Sequence, residues 1–200
     1  MQVRPFSTCD LAGMYRVCLL TGDSGADGTA FYRDPDLLGH VYAAPYPVAD
    51  PGLTWVVTDE DGVAGYVVGA ADSQGFARWQ EEVWWPPLRE RYPLRPEVEG
   101  LRDHDVLQTI HRGSRYEEEL TADYPAHLHI DLLPRAQGRG LGRTLIETLA
   151  GALRERGVPG VHLKVSEQNP GAIAFYGRVG FHEVATASWG RTLGMDLRPR

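Results

Sequence analysis

The stretch Pro134-Arg-Ala-Gln-Gly-Arg-Gly-Leu-Gly142 decides the fold of this chain. An apolar run from His127 to Leu133 enters it and has the character of a β-strand. The residues that follow are apolar at helical spacing, namely Leu141, Leu145, Ile146, Leu149 and Leu153. The predicted order is therefore strand, glycine-rich turn and helix.

The glycine-rich turn has the features of a phosphate-binding loop. Gly138, Gly140 and Gly142 lack a Cβ atom, so the backbone can curl tightly and bring several N–H groups to one anion. The helix that begins there adds its unpaired first-turn N–H groups and the positive end of its dipole. Arg139 and Arg143 lie close enough in sequence to reach the same charge. The loop therefore predicts a site for a pyrophosphate.

Two common glycine loops fit this stretch poorly. A nucleoside-triphosphate loop needs Gly-Lys-Ser/Thr after a four-residue spacer, whereas this chain has Gly142-Arg143-Thr144 without that spacer. A dinucleotide-binding fold places its loop in the first strand–helix unit, whereas this loop lies two-thirds along the chain. A tight strand-to-helix turn with no ligand is the third alternative.

A second motif follows at Asn169-Pro-Gly-Ala-Ile-Ala-Phe-Tyr-Gly-Arg-Val-Gly-Phe181. Its Asn169, Ala172 and Tyr176 share one helix face, and Asn169 also has the character of an N-cap before proline. Together with the spacing Gln137-x-x-Gly140-x-Gly142, this motif resembles the two signatures of the GCN5-related N-acetyltransferase family. The resemblance implies an acetyl-CoA cofactor.

The resemblance implies an α/β fold with a mixed central β-sheet of about seven strands flanked by helices. The length of 200 residues predicts a single domain over residues 1–200. Periodicity predicts a strand over 2–6, a helix over 9–20, a short helix over 36–42 and a hairpin of strands 53–58 and 63–70. It also predicts a strand over 161–165 and two closing antiparallel strands over 181–186 and 191–197.

Residues 73–125 form a predicted helical insertion before the strand that bears the loop. It contains Trp79, Trp84 and Trp85, three of the five tryptophans, with a predicted helix break at Pro86-Pro87. These tryptophans either pack the insertion on the sheet or line an acceptor cleft. The insertion resembles the C-terminal acetyltransferase-like domain of O-GlcNAc hydrolases and its free-standing bacterial relatives.

The family resemblance implies which residues bind the cofactor. Backbone groups of Leu132 and Leu133 are the implied positions for the pantetheine arm and the thioester oxygen, while Asn169 either contacts that arm or only caps its helix. The implied cofactor-binding residues are Leu132, Leu133, Gln137, Gly138, Arg139, Gly140, Leu141, Gly142, Arg143, Asn169, Ala172, Phe175 and Tyr176.

Direct attack by an amine on a thioester needs a base for the amine and an acid for the thiolate. Tyr176 falls on the family position that approaches the sulfur, and a phenol can protonate a thiolate; the alternative is a core aromatic residue. His127, His129 and Asp131 alternate along one strand and share a face, so His129 and Asp131 are the predicted bases. Both could instead only make structural hydrogen bonds. We predict no metal site, because no cysteine or further histidine motif supports zinc.

The composition narrows the function further. Its 27 acidic and 20 basic residues give a net charge of -7, which disfavours nucleic acid as a partner and suits a cationic acceptor. No signal peptide or membrane span is visible, and Cys9 and Cys18 are predicted to be buried free thiols, so we expect a cytoplasmic protein. The predicted function is acetyl-CoA-dependent N-acetylation of a small-molecule or peptide amine. The alternative is an inactive acetyl-CoA-binding domain with a regulatory role.

Overall fold

The fold is built on a mixed seven-stranded sheet, seen in a computed structural model that describes residues 1–198. The strand order is β1-β2-β3-β4-β5-β7-β6, and every neighbouring pair is antiparallel except the parallel pair β4 and β5. The strands are β1 Gln2–Pro5, β2 Thr54–Asp59, β3 Gly62–Ala70, β4 Ala126–Leu132, β5 Gly160–Ser166, β6 His182–Ala187 and β7 Gly190–Asp196. The predicted sheet is confirmed.

Helices cover both faces of this sheet. The helices are α1 Leu11–Leu20, α2 Leu37–Tyr42, α3 Pro45–Ala49, α4 Ser73–Trp79, α5 Trp85–Arg91, α6 Asp103–Arg112, α7 Glu118–Asp123, α8 Leu141–Glu155 and α9 Pro170–Arg178. Apolar residues of α1 to α6 form one buried cluster with the sheet, and those of α8 and α9 form a second cluster. Three-residue 3₁₀ turns lie at Thr8–Asp10, Thr29–Phe31, Pro51–Leu53 and Pro134–Ala136.

Helix α8 shows how the sequence pattern produces this packing. Its Leu145, Ile146, Leu149 and Leu153 recur at helical spacing, and all four are at most 2% exposed. Each such side chain contributes about 1.5–3 kcal/mol when it is removed from water. This buried stripe holds the helix, and therefore the glycine loop at its N-terminus, against the sheet.

The predicted helical insertion is present between β3 and β4 as α4 to α7. Trp85 is fully buried, and Trp79 and Trp84 pack against the same cluster. The packing interpretation of the three tryptophans is therefore confirmed. The predicted break at Pro86-Pro87 is wrong: a π-helical turn, Gln80–Trp84, joins α4 to α5, and Pro86 lies in the first turn of α5, where no backbone N–H is needed.

Strands β4 and β5 part soon after they meet. Their paired residues are Ala126 with Val161 and His127 with His162. Beyond His127, strand β4 continues along β3 as far as Leu132, while β5 continues along β7. The sheet therefore opens at its centre, directly in front of the glycine loop that follows β4.

Two further predictions concern the cysteines and membranes. Both cysteines are free, and Cys18 is buried as predicted, but Cys9 is exposed, because it lies in a 3₁₀ turn ahead of α1 rather than inside that helix. The prediction of a buried thiol at Cys9 is therefore wrong. No helix within residues 1–198 combines the length and apolar character needed to cross a membrane.

Candidate active site

The glycine loop presents a run of free backbone donors. Gly138 and Gly140 adopt the left-handed φ values of 70° and 79°, which a residue with a Cβ atom reaches only under strain. Within residues 1–198, no hydrogen bond uses the backbone N–H of any residue from Gly138 to Arg143, and Thr144 is the first to donate back, to the Gly140 carbonyl at 3.1 Å. These six unpaired N–H groups lie in the loop and the first turn of α8, so they are available to hold an anion.

The two arginines of the loop lie at its rim. Arg139 is exposed, and Arg143 donates from Nη2 to the Arg178 carbonyl at 3.0 Å. Nη1 of Arg143 also lies 3.5 Å from Oε1 of Glu147 on the next turn of α8. The backbone therefore supplies the directed contacts of this site, and the guanidinium groups supply positive charge around it.

The end of β4 is joined to the loop by hydrogen bonds. The Leu133 N–H donates to the Ala64 carbonyl at 2.9 Å, and the Leu133 carbonyl accepts from the Ala136 N–H at 2.8 Å. The Leu133 N–H is therefore occupied, whereas its carbonyl oxygen, which has two lone pairs, keeps the capacity to accept a second hydrogen bond. Successive residues of a strand direct their N–H groups to opposite sides. The Leu132 N–H group therefore faces the gap towards β5. The Leu132 carbonyl accepts from Gln137 Nε2 at 2.8 Å, which places Gln137 beside that gap.

A groove of about 920 Å³ runs from the loop into the gap between β4 and β5. Ten of the predicted cofactor residues line it, namely Leu132, Gln137, Gly138, Gly140, Gly142, Arg143, Asn169, Ala172, Phe175 and Tyr176. Leu133, Arg139 and Leu141 do not line it. The two sequence motifs therefore meet in one groove.

Helix α9 forms the far wall of this groove. Asn169 Oδ1 accepts from the Ala172 N–H at 3.0 Å, so the predicted N-cap is confirmed. Tyr176 is 9% exposed and lines the groove. Burial, followed by the negative charge of Asp131, raises the pKa of Tyr176 above its ordinary value. Its phenol therefore stays protonated at neutral pH.

A second cavity of about 600 Å³ lies between α1–α2 and the helical insertion. It meets the groove at a shared wall, formed by Thr21, Ser24, Leu128, His129, Asp131, Leu163 and Lys164. Both predicted bases belong to this wall, whereas none of the three tryptophans of the insertion lines either cavity. The two cavities thus approach one another from opposite sides of the parted strands.

Asp131 is held in place by a residue far away in sequence. The Tyr66 hydroxyl donates to Asp131 Oδ2 at 2.6 Å, and Tyr66 is completely buried on β3, directly opposite Asp131. Burial raises the pKa of Asp131, and the hydrogen bond from Tyr66 lowers it in part. A desolvated carboxylate of this kind is a stronger base than an ordinary aspartate.

His129 and His127 share a strand face but differ in their contacts. Burial lowers the pKa of His129 to about 4, so its imidazole is neutral at pH 7, and it lines both cavities. His127 is instead bonded on both ring nitrogens, to Ser73 Oγ at 2.7 Å and to the Tyr46 hydroxyl at 2.9 Å. His127 is therefore a structural residue. No cluster of metal-ligating side chains occurs in the described part of the chain.

Sequence reasoning missed several residues of the shared wall. Thr21 and Ser24 come from the loop after α1, and Lys164, the chain's single lysine, comes from β5. Tyr66 was missed as the partner of Asp131. Only strand pairing could have found it, because Tyr66 and Asp131 become neighbours through the register of β3 and β4.

Comparison with known proteins agrees with this geometry. Residues 27–181 match the model of the family described as "Acetyltransferase (GNAT) family". A solved structure described as "Crystal structure of SsHAT" is 40% identical, with a TM-score of 0.91, and the match covers 99% of this chain and 98% of that one.

Two further relatives extend the comparison. Protein O-GlcNAcase from Rattus norvegicus is 24% identical over 185 residues, which are 92% of this chain but 20% of that protein, so the chain spans a fifth of its length. This match confirms the resemblance to O-GlcNAc hydrolases. The protein yncA from Salmonella typhimurium, solved with its cofactor acetyl-CoA, has a TM-score of 0.56 at 15% identity, over 100% of this chain and 95% of that one. At that identity the likeness concerns the fold. The match to the family model over 27–181, together with the SsHAT structure, shows that the chain belongs to the acetyltransferase (GNAT) family of N-acetyltransferases.

Proposed function

We propose that this chain binds acetyl-CoA in the groove and transfers the acetyl group to an amine that enters through the second cavity. The observation that carries the proposal is the shared wall of the two cavities. Asp131 and His129 lie in this wall, beside the opening between β4 and β5. Two reactants that enter from opposite sides would meet there with their reacting groups already positioned.

The cofactor site fits its ligand through the chain's own groups. The six free N–H groups from Gly138 to Arg143 would hold the pyrophosphate, and the gap between the strands would take the pantetheine arm. Acetyl-CoA supplies the activated acetyl thioester when it is bound. The N–H of Leu132, which faces the gap, would donate to the thioester oxygen.

Three side chains would handle the protons. Asp131 would take a proton from the acceptor ammonium, since its raised pKa makes it a better base than an exposed aspartate. The neutral imidazole of His129 would accept a hydrogen bond from the amine and orient it. Tyr176 would hold its proton at neutral pH and donate it to the leaving thiolate.

The proposal is tested in two stages. Calorimetric titration with acetyl-CoA and with CoA is expected to show binding that Gly140→Asp abolishes, because this variant places a bulky negative charge in the glycine loop. Release of free CoA thiol is then followed with a panel of amines. Binding without amine-dependent thiol release from any acceptor would favour the inactive acetyl-CoA-binding domain, and absence of binding would remove both functions.

A further inference from the structure

Lys164 places a primary amine beside the two predicted bases. It is the chain's single lysine, and together with Asp131 and His129 it belongs to the wall that the groove and the second cavity share. Every other residue among the 20 lysines and arginines is an arginine, whose guanidinium group stays protonated in proteins and is not a nucleophile. Lys164 therefore carries the one side-chain amine of the sequence, and this amine lies at the proposed site of acetyl transfer.

The register of the parted strands places Lys164 on the acceptor side of the sheet. His127 and His162 are paired across β4 and β5, and their rings lie on the same face, with centroids 5.8 Å apart. Side chains two residues apart on a strand share a face, so His129 and Lys164 continue this face on either side of the gap. Lys164 therefore borders the cavity through which an acceptor would enter.

The amine group of Lys164 has no fixed partner among the described residues. Lys164 is exposed, and within residues 1–198 its Nζ forms no ion pair with a carboxylate. Its Nζ lies 5.8 Å from the centre of the Trp189 ring, and Trp189 is itself 50% exposed, so this cation–π contact is weak. The flexible four-carbon side chain can therefore turn towards the gap between β4 and β5.

We propose that Lys164 is a self-acetylation site. Its amine attacks the thioester of acetyl-CoA bound in the groove of the same chain when no other acceptor occupies the second cavity. This inference rests on the proposed function, because it uses the same cofactor site and the same bases. It adds a modification site within the chain and a reaction that needs no external amine.

The step is a direct acyl transfer. A C–N bond forms between Lys164 Nζ and the acetyl carbon, and the C–S bond of the thioester breaks. The ammonium group loses two protons. One passes to water through Asp131, and the other ends on the sulfur of CoA by way of Tyr176. The products are an acetylated, uncharged Lys164 and free CoA thiol, so the reaction needs no oxidant or further reactant.

The test is mass spectrometry of the purified chain after incubation with acetyl-CoA alone. We expect the mass of one acetyl group to appear on the chain and proteolytic mapping to locate it at Lys164. Because donor and acceptor belong to one molecule, the fraction acetylated per unit time should not depend on protein concentration. In Lys164→Arg, which keeps the positive charge and removes the amine, the acetyl group at this position should be absent.

Three further variants separate catalysed transfer from simple chemical acetylation of an exposed lysine. Gly140→Asp blocks the glycine loop, and Asp131→Asn removes the base. Each should slow acetylation of Lys164 about tenfold or more, because the positioned thioester or the proton acceptor is lost. The matched control is Arg154→Lys, which adds an exposed amine on α8 outside both cavities. Position 154 should be acetylated about tenfold or more slowly than Lys164 in the same molecules.

The outcomes separate this inference from the proposed function, which is followed in parallel by thiol release with the panel of external amines. If external amines are acetylated while Lys164 is not, or while Lys164 reacts no faster than position 154, the inference is overturned and the proposed function stands. Equal rates at Lys164 in the wild-type chain and in Gly140→Asp, or a rate that rises with protein concentration, also overturn it.

The opposite result is equally distinct. If Lys164 is acetylated in a manner that depends on Gly140 and Asp131 but no external amine is accepted, the inference holds and transfer to an external acceptor fails. Absence of acetyl-CoA binding in calorimetry overturns both.

Discussion

Substitutions at Gly140 and Gly157 should separate an effect on stability from an effect on cofactor binding. Gly140 precedes α8 with φ of 79°, and Gly157 follows the same helix with φ of 73°. A Cβ atom added at either position meets no atom within 4 Å. Alanine at each site therefore costs only the left-handed backbone strain, about 1–2 kcal/mol. The space around Gly140, unlike that around Gly157, belongs to the cofactor groove.

Gly140→Ala and Gly157→Ala are therefore expected to lower the melting temperature by similar amounts, about 2–4 °C for each kcal/mol in a chain of this size. Only Gly140→Ala should weaken acetyl-CoA. If it displaces the phosphate from one charge-assisted hydrogen bond, at about 1.5–3 kcal/mol, Kd rises about tenfold or more. Thermal denaturation and calorimetry measure the two effects. Wild-type affinity for acetyl-CoA in Gly140→Ala, or an equal loss of affinity in Gly157→Ala, would refute the assignment of the glycine loop as the phosphate site.

Three other predictions follow from buried ionisable groups. Asp131→Asn should reduce kcat by about 10²–10⁴-fold and remove the acidic limb of the pH–rate profile. In the wild-type protein the midpoint of that limb should lie above the ordinary aspartate range, because burial raises the pKa of Asp131. An acidic limb that is unchanged in the variant would assign the base to another residue. Tyr176→Phe should lower kcat by about 10²-fold without weakening acetyl-CoA binding in calorimetry, whereas unchanged kcat would leave Tyr176 a packing residue. Burial holds the pKa of His127 well below its ordinary value, so only the unfolded chain binds a proton at this imidazole as pH falls below about 6.5. The free energy of unfolding, measured with urea, should therefore fall by about 1.4 kcal/mol per pH unit from this group. In His127→Gln the free energy of unfolding should depend less steeply on pH, and an unchanged dependence would contradict this assignment.

Much of the cofactor groove was predictable because it depends on local geometry. A left-handed φ at Gly138 and Gly140 requires glycine, and the N-cap at Asn169 bonds an N–H only three residues away. Such features depend only on residues that are close together in the sequence. The alternation of His129 and Asp131 with apolar neighbours likewise placed both on one strand face before any contact was known.

Other parts of the site could not be predicted locally. The Pro86-Pro87 stretch has the sequence of a helix break, yet a π-helical turn joins α4 to α5 just before it, and Pro86 lies in the first turn of α5, where no backbone N–H is needed. Leu133 lies in the expected stretch, but its N–H donates to the Ala64 carbonyl on β3. Whether a backbone group is free depends on its partners across the sheet, and these are distant in sequence.

The sequence by itself determined the fold class, the glycine loop and the strand that carries the predicted bases, because short-range backbone geometry and periodicity specify them. Only the tertiary structure decided where β4 and β5 part, that two cavities share the wall containing Asp131, and that Tyr66 holds its carboxylate. The same holds for the position of Lys164 beside both predicted bases. A cavity and its walls exist only relative to residues that folding brings together, so no local pattern records them.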